Sequence, residues 1–233
     1  MRQPIDVALQ QAFEDARGLA IPLGERLGII ADKVRALSPI YSDAVDGFVE
    51  RLQQAGAGSA APMVGDVMPR FILPDDQGRL VSLEQLLEKA PVIIAFHRGH
   101  WCPYCRLNAV GLVEIDEAVK PVQIVAISAE AQAYTRAIKA ESGASFPFLT
   151  DVGNGYAMSL GLAIWVDDEM AALIAGAGYD IPEYQRQEGW ILPVPSVFVV
   201  GQDGLIKARH VDPDYRKRME LDDLRAAARA ALG

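Results

Sequence analysis

The chain has 233 residues, of which 51% are hydrophobic and 23% charged, and its formal net charge is −9. Its length suffices for one large domain, or for one domain with an appendage, and the composition is typical of a globular protein. The negative charge argues against nucleic acid or an anionic membrane as a partner, because both require a basic surface. No run of about 18 apolar residues occurs, so no transmembrane helix is expected.

The first 61 residues are predicted to be a helical extension that ends in a linker. Apolar residues recur every three or four positions from about residue 5 to residue 55, and Pro22 and Pro39 divide this region into two or three helices. The following stretch of Gly, Ala and Ser, residues 55–61, is typical of a linker. We therefore divide the chain into an N-terminal extension, residues 1–61, and a second unit, residues 62–233.

Strands and helices alternate along the second unit. The apolar run Val92–Phe96 is typical of a central parallel strand that is buried on both faces, and a helix is expected to follow it as far as Lys120. The other predicted elements are a hairpin at 71–81, strands at 122–127, 146–149, 197–200 and 205–208, helices at 83–89, 129–142, 156–162 and 221–232, and an insertion at 164–191. This alternation predicts an α/β fold with helices on both faces of a sheet.

The only two cysteines, Cys102 and Cys105, follow the central strand and are separated by two residues. A helix that begins here lowers the pKa of a thiol at its N-terminus, and Pro103 suits the first helical turn. Cys105 then lies on the same helix face, close enough to attack a mixed disulfide or a sulfenic acid on Cys102. Because a second pair of zinc ligands is missing, the pair indicates dithiol–disulfide chemistry and no metal site.

The cellular compartment supports the same interpretation. The N-terminus shows no basic segment followed by an apolar one, so we expect no secretory signal and a cytoplasmic protein. Thiols are kept reduced there, which favours a catalytic pair over a permanent disulfide.

Several segments resemble known families. Residues 101–105, Trp-Cys-Pro-Tyr-Cys, resemble the active site of thioredoxin-fold proteins, and Val194-Pro195 resembles their cis-proline loop. Segments 65–74, 96–105, 192–195 and 211–215 together resemble peroxiredoxin-like proteins of the alkyl hydroperoxide reductase and thiol-specific antioxidant (AhpC/TSA) group. The resemblance covers residues 62–232 and implies a thioredoxin-like fold, a central mixed sheet flanked by helices, with the N-terminal helices as an extension. It further implies a substrate groove formed by Trp101, Pro103, Tyr104, Val194 and Pro195.

The roles of the two cysteines remain open between two alignments. Peroxiredoxins carry Pro-x-x-x-Thr-x-x-Cys, which places the peroxidatic cysteine at Cys105, the threonine at Cys102 and the proline at Arg98; their later arginine falls at Pro195. In the thioredoxin-like alignment Cys102 attacks and Cys105 resolves. The helix N-terminus favours the second alignment, because Cys102 is expected to be the more exposed and more acidic thiol. Arg98 is a candidate catalytic residue that lowers a thiol pKa or stabilises a leaving oxygen anion.

The sequence therefore predicts a thiol-dependent peroxidase that reduces hydrogen peroxide or organic hydroperoxides through a dithiol–disulfide cycle. The alternatives are a thioredoxin-like protein disulfide oxidoreductase and a redox sensor with slow turnover. The expected partners are a peroxide and a thioredoxin- or glutathione-type reductant, without a cofactor, and a homodimer is considered. His97 and His100, on the same loop, are predicted to be solvated.

Overall fold

The computed structural model describes residues 5–233, and a five-stranded mixed sheet forms its centre. The strands of the described chain are β1 (Ile72–Pro74), β2 (Leu80–Ser82), β3 (Val92–Phe96), β4 (Gln123–Ser128), β5 (Phe148–Thr150), β6 (Ala163–Trp165), β7 (Ile191–Pro193), β8 (Ser196–Val200) and β9 (Ile206–Val211). The helices are α1 (Ile5–Arg17), α2 (Leu23–Leu37), α3 (Pro39–Gln54), α4 (Leu83–Leu87), α5 (Pro103–Val119), α6 (Gln132–Ser142), α7 (Gly155–Ser159), α8 (Asp168–Gly176), α9 (Ile181–Gln185) and α10 (Leu221–Ala230).

The sheet has the order β5-β4-β3-β8-β9, with β3 in the middle. β3 pairs parallel to β4 and antiparallel to β8, and the pairs β1–β2 and β6–β7 form separate hairpins. All five residues of β3 are buried, as its continuous apolar sequence predicts. The predicted fold class, a central mixed sheet flanked by helices with a helical N-terminal region, is confirmed.

Alternate residues of β3 support two separate cores because successive side chains of a strand point to opposite faces. Ile93 and Ala95 belong to a cluster that includes the buried face of α5. Val92, Ile94 and Phe96 belong to a second cluster on the other face of the sheet. The cysteines lie in the first cluster.

The N-terminal helices pack into the same core as α5. Phe13 and Leu27 are at most 1% exposed and belong to one hydrophobic cluster with Leu107 of α5. Arg26 of α2 is also buried, and its guanidinium donates two hydrogen bonds, of 2.6 and 2.9 Å, to the carboxylate of Glu114. The helices therefore cover the start of α5, although the boundary between residues 61 and 62 stays a prediction.

Two of the segments that differ from the sequence prediction in extent lie after β5. The helix predicted at 156–162 is only Gly155–Ser159, because Gly161 adopts a φ of +68° that ends helical geometry. The predicted insertion at 164–191 has its own structure: β6 and β7 pair at its ends and enclose α8 and α9. No helix within residues 5–233 is long and apolar enough to cross a membrane.

Candidate redox site

The cysteine pair lies where β3 gives way to α5. Cys102 is the residue before the helix, Pro103 occupies its first position, and the backbone N–H of Cys105 donates to the carbonyl of Cys102 at 3.0 Å. Each cysteine is 1% exposed and the two side chains are within hydrogen-bonding distance of each other. The two sulfurs are therefore shielded from solvent and can share one proton between them.

Cys105 lies among hydrogen-bond donors. Its Sγ accepts the backbone N–H of Arg98 at 3.3 Å and a guanidinium N–H of Arg218 at 3.4 Å. Burial acts to raise the pKa of Cys105, but the hydrogen bond from Cys102, the charge of Arg218 and the contacts with Arg98 lower the pKa to about 5. Cys105 is therefore the sulfur that these contacts stabilise as a thiolate.

Cys102 has the opposite environment. Burial raises the pKa of its thiol well above the usual value, and the neighbouring Cys105 adds to this increase. The expectation that Cys102 is the more exposed and more acidic thiol is wrong. Its position before a helix is outweighed by complete burial and by donors that converge on the other sulfur.

A buried carboxylate fixes the loop that leads to the cysteines. Glu130, which follows β4, is 0% exposed; it accepts the backbone N–H of His100 at 2.8 Å and contacts His100 Nδ1 at 2.7 Å. Gly99 crosses directly over this carboxylate with a φ of +146°, and a Cβ there would lie 2.4 Å from Glu130 Oε1. The loop therefore requires glycine at position 99.

Arg98 is a buried guanidinium held by aromatic rings. Its Cζ lies 3.9 Å from the centre of the Tyr215 ring and 4.8 Å from that of Trp101. Its guanidinium is also within hydrogen-bonding distance of the Tyr215 hydroxyl, no carboxylate of the described chain forms an ion pair with it, and its Nε has no hydrogen-bond partner there. Arg98 thus places a positive charge beside both sulfurs.

A cavity of about 220 Å³, which we call the chamber, lies against Cys102. The N-terminal helices contribute Leu9, Ala31, Val34, Tyr41, Ser42 and Val45. The loop between β3 and α5 and the start of α5 contribute Arg98, Trp101, Cys102, Pro103 and Tyr104, and Tyr179 and Tyr215 lie on the remaining wall. Asp32, Arg35 and Arg216 also line it, and the exposed Asp32 and Arg35 mark its solvent side. Cys105 is absent from this lining, so Cys102 stands between the chamber and Cys105.

The residues predicted for the substrate groove divide into two groups. Trp101, Pro103 and Tyr104 line the chamber. Val194 packs instead in the core on the opposite face of the sheet, and neither it nor Pro195 lines the chamber.

The expected cis bond between Val194 and Pro195 is wrong, since the cis X-Pro bond of the described chain is Lys120-Pro121. The backbone instead runs from β7 directly into β8, and Val194 N–H donates to Leu162 O at 2.7 Å. This connection suits the trans isomer, which an X-Pro bond prefers by about 0.5–1 kcal/mol.

Sequence reasoning missed Arg218 and Glu130, which come from separate segments of the chain. Arg218 lies between β9 and α10 and has no sequence signal that relates it to the cysteines. Glu130 is a charged residue directly after a buried strand, at the edge where the ends of parallel strands meet, and this pattern was available as a signal.

The two loop histidines also differ from expectation. His97 is 4% exposed, its ring packs edge-on against Phe148, and burial lowers its pKa to about 3. His100 is partly buried against Tyr134, with ring centres 4.7 Å apart, besides its contact with Glu130. No group of three or more His, Cys, Asp or Glu side chains within residues 5–233 forms a metal site.

Known structures share this fold at low sequence identity. Peroxidoxin BcpB from Mycobacterium tuberculosis matches with 21% identity and a TM-score of 0.54, over 72% of this chain and 96% of that one. A peroxiredoxin-like protein from Aquifex aeolicus matches with 12% identity and a TM-score of 0.58, over 73% and 88% of the two chains. A putative protein disulfide isomerase from Bacteroides thetaiotaomicron matches with 16% identity and a TM-score of 0.50, over 73% and 90%.

The sequence itself identifies the family. No curated protein matches the chain. The model of the AhpC/TSA family matches residues 64–209, which include both cysteines, Arg98, Gly99 and Glu130, and Arg218 lies beyond the match. The match covers more than half of the chain, and the protein therefore belongs to the AhpC/TSA family of thioredoxin-like thiol oxidoreductases.

Proposed function

We propose that this protein is a thiol peroxidase in which Cys105 is the sulfur attacked by peroxide and Cys102 resolves the product. The observation that carries the proposal is the convergence of Arg98 N–H and the Arg218 guanidinium on Cys105 Sγ, with the Cys102 thiol beside it. Only a thiolate is an effective nucleophile, and this environment stabilises the thiolate at neutral pH.

The reaction proceeds in two balanced steps. The Cys105 thiolate attacks the terminal oxygen of the hydroperoxide, an S–O bond forms, the O–O bond breaks, and the alkoxide or hydroxide leaves as an alcohol or water after taking a proton. Cys102 then attacks the sulfenic sulfur, an S–S bond forms, and water leaves. Each turnover thus converts one hydroperoxide and one dithiol into an alcohol, a water and a disulfide.

Two arginines supply complementary functions. Arg218 holds the thiolate from the protein side, taking the part of the arginine that the family alignment places at Pro195. Arg98 lines the chamber beside Cys102, and its positive charge stabilises the oxygen that becomes negative as the O–O bond breaks. Because Cys102 lies between the chamber and Cys105, its side chain must rotate to admit the peroxide oxygen.

An external dithiol of the thioredoxin or glutathione type returns the disulfide to the reduced state. A cytoplasmic location agrees with this need for a reductant, and a homodimer remains part of the proposal.

Stopped-flow oxidation of the reduced protein by hydrogen peroxide tests the assignment, with Trp101 fluorescence as the signal. We expect Cys102→Ser to be oxidised and to accumulate a sulfenic acid that dimedone traps at Cys105, whereas Cys105→Ser reacts no faster than a free thiol. Trapping at Cys102 in Cys105→Ser at the wild-type rate would restore the thioredoxin-like alignment. Circular dichroism of both variants verifies that they are folded.

A protein disulfide oxidoreductase is the second candidate. The Cys-x-x-Cys pair at the start of a helix favours it, and the fold is shared with both kinds of enzyme. The exposure of 1% at each cysteine disfavours it, because a protein disulfide must contact the attacking sulfur directly. Reduction of insulin disulfides at a rate that exceeds peroxide consumption would establish this function instead.

A further inference from the structure

The chamber is larger than hydrogen peroxide requires. An apolar cavity of about 150 Å³ in another protein holds one benzene molecule. The chamber, at about 220 Å³, has room for one aromatic ring with a short substituent, but not for a peptide or for a lipid chain of ordinary length.

The lining of the chamber has an apolar part and a polar part. Leu9, Val34 and Val45 of the N-terminal helices are buried apolar residues, and Tyr41 and Tyr179 add aromatic surface. The polar part consists of Arg98, which is 4% exposed and lies beside Cys102, together with Ser42, Asp32, Arg35 and Arg216. An apolar wall with a few buried donors is the usual construction of a small-molecule site.

We propose that the N-terminal helices make this chamber a specificity site for monocyclic aromatic hydroperoxides, which it prefers to hydrogen peroxide. The ring packs between the apolar residues of α1–α3 and the tyrosines, and the hydroperoxide oxygens accept hydrogen bonds from Arg98 beside the sulfurs. Burial of the ring provides binding energy that hydrogen peroxide cannot obtain. The preference for one hydroperoxide over another can exist only if the proposed peroxidase function is correct. Binding of an aromatic ring in the chamber does not depend on that function.

The first test compares cumene hydroperoxide, hydrogen peroxide and a fatty-acid hydroperoxide as oxidants of the reduced protein. We expect kcat/KM for cumene hydroperoxide to exceed that for each of the others by about tenfold or more, the effect of one well-fitted apolar group. Equal values for cumene hydroperoxide and hydrogen peroxide would overturn the inference.

Filling the chamber supplies the second test. Ala31→Phe places a ring inside the chamber from α2, and we expect it to reduce the ratio of the cumene hydroperoxide rate to the hydrogen peroxide rate by about tenfold. Lys33→Phe is the matched control, since it adds the same ring to an exposed position of the same helix outside the chamber and should leave the ratio unchanged. An unchanged ratio in a folded Ala31→Phe variant contradicts the proposal.

Binding of 2-phenyl-2-propanol, the alcohol product of cumene hydroperoxide, separates this inference from the peroxidase function. Titration calorimetry on the reduced wild-type protein should detect binding, and Ala31→Phe should weaken it by about tenfold relative to Lys33→Phe. Binding without any peroxide oxidation would refute the peroxidase function and retain the chamber. Rapid peroxide oxidation without binding would retain the function and refute the chamber as a site for aromatic molecules.

Discussion

Cys102 and Cys105 are separated by a single helical turn, yet they face chemically different regions. Cys102 faces a chamber of aromatic and apolar side chains, whereas Cys105 faces inward to the Arg98 N–H and the Arg218 guanidinium. The result is a raised thiol pKa at the sulfur that faces the chamber and a lowered pKa at the one behind it. The position of a cysteine at a helix start therefore does not decide which sulfur is acidic; the donors that reach it from other segments do.

Removal of the Arg218 guanidinium, which donates to Cys105, should have the largest effect on the difference in pKa between the two cysteines. Arg218→Gln removes the donor at 3.4 Å and its charge, so we expect the peroxide oxidation rate at pH 6 to fall by about 100-fold. The midpoint of the pH–rate profile should rise at the same time, because the thiolate loses a stabilising charge. Stopped-flow measurements from about pH 4 to about pH 9, a range that includes both the pKa of Cys105 and that of an ordinary thiol, test both effects.

Two further variants control this prediction. Arg218→Lys keeps the charge and should recover part of the rate, while Arg225→Gln removes an arginine on α10 that pairs with Asp222 at the surface and should change nothing. A wild-type rate and midpoint in Arg218→Gln would show that Arg218 does not support the thiolate.

Gly99→Ala should have the next largest effect, because it disturbs the loop that leads to the two cysteines. The added Cβ meets Glu130 Oε1 at 2.4 Å and Trp101 Nε1 at 2.6 Å, on a backbone with positive φ. We expect the free energy of unfolding to fall by about 2 kcal/mol, which urea denaturation measures.

Gly28→Ala is the matched control for this loss. Gly28 lies inside α2 with nothing within 4 Å of the added Cβ, so alanine should be neutral or stabilising there by about 0.5–1 kcal/mol. An equal loss of stability in both variants would contradict a special role of the Gly99 backbone.

The dependence of the wild-type oxidation rate on pH tests the lowered pKa of Cys105 without a substitution. The pKa of Cys105 is about 5, so its thiolate persists from pH 9 to about pH 6 and is protonated as the pH falls through 5. We expect the oxidation rate to be flat over the upper range and to fall about tenfold per pH unit well below 5. A midpoint near the pKa of a free thiol, about 8.5, would refute the lowered value.

His97 gives the smallest predicted effect, on acid stability rather than on rate. Its folded pKa of about 3 lies below the ordinary value of 6.5, so the unfolded chain binds more protons between these values and stability falls as the pH decreases through that window. We expect His97→Phe to reduce the slope of unfolding free energy against pH between about 3 and 6.5. An identical slope in the variant would show that His97 does not titrate on unfolding.

The sequence predicted the elements that local patterns determine. The central strand Val92–Phe96 was placed correctly because a run of apolar residues before a helix start has few alternatives, and the hairpin at Gly204 follows from its Asp-Gly turn. The helix after the cysteines and the family followed from the motif itself.

The site was only partly predictable because its electrostatics arise from long-range contacts. Arg218 reaches Cys105 across 113 positions of sequence, and Glu130 reaches His100 across 30. The error over the acidity of Cys102 has the same origin, since the helix N-terminus is visible in the sequence and the competing donors are not. The cis Val194-Pro195 bond was expected from the resemblance alone, and the structure has this bond in the trans form.

The ion pair between the buried Arg26 and the exposed Glu114 has a consequence for turnover. It joins α2 to α5, and because each cysteine is only 1% exposed, a protein-sized electron donor cannot touch the Cys102–Cys105 disulfide of the proposed cycle while the helices remain docked. In the proposed cycle a small oxidant needs only the chamber and a rotation of Cys102, whereas the electron donor needs an opening motion of the helices. We therefore expect different steps to limit the two halves of the proposed cycle. Entry of the oxidant and rotation of Cys102 limit the oxidative half, and the reductive half becomes independent of donor concentration once opening limits its rate.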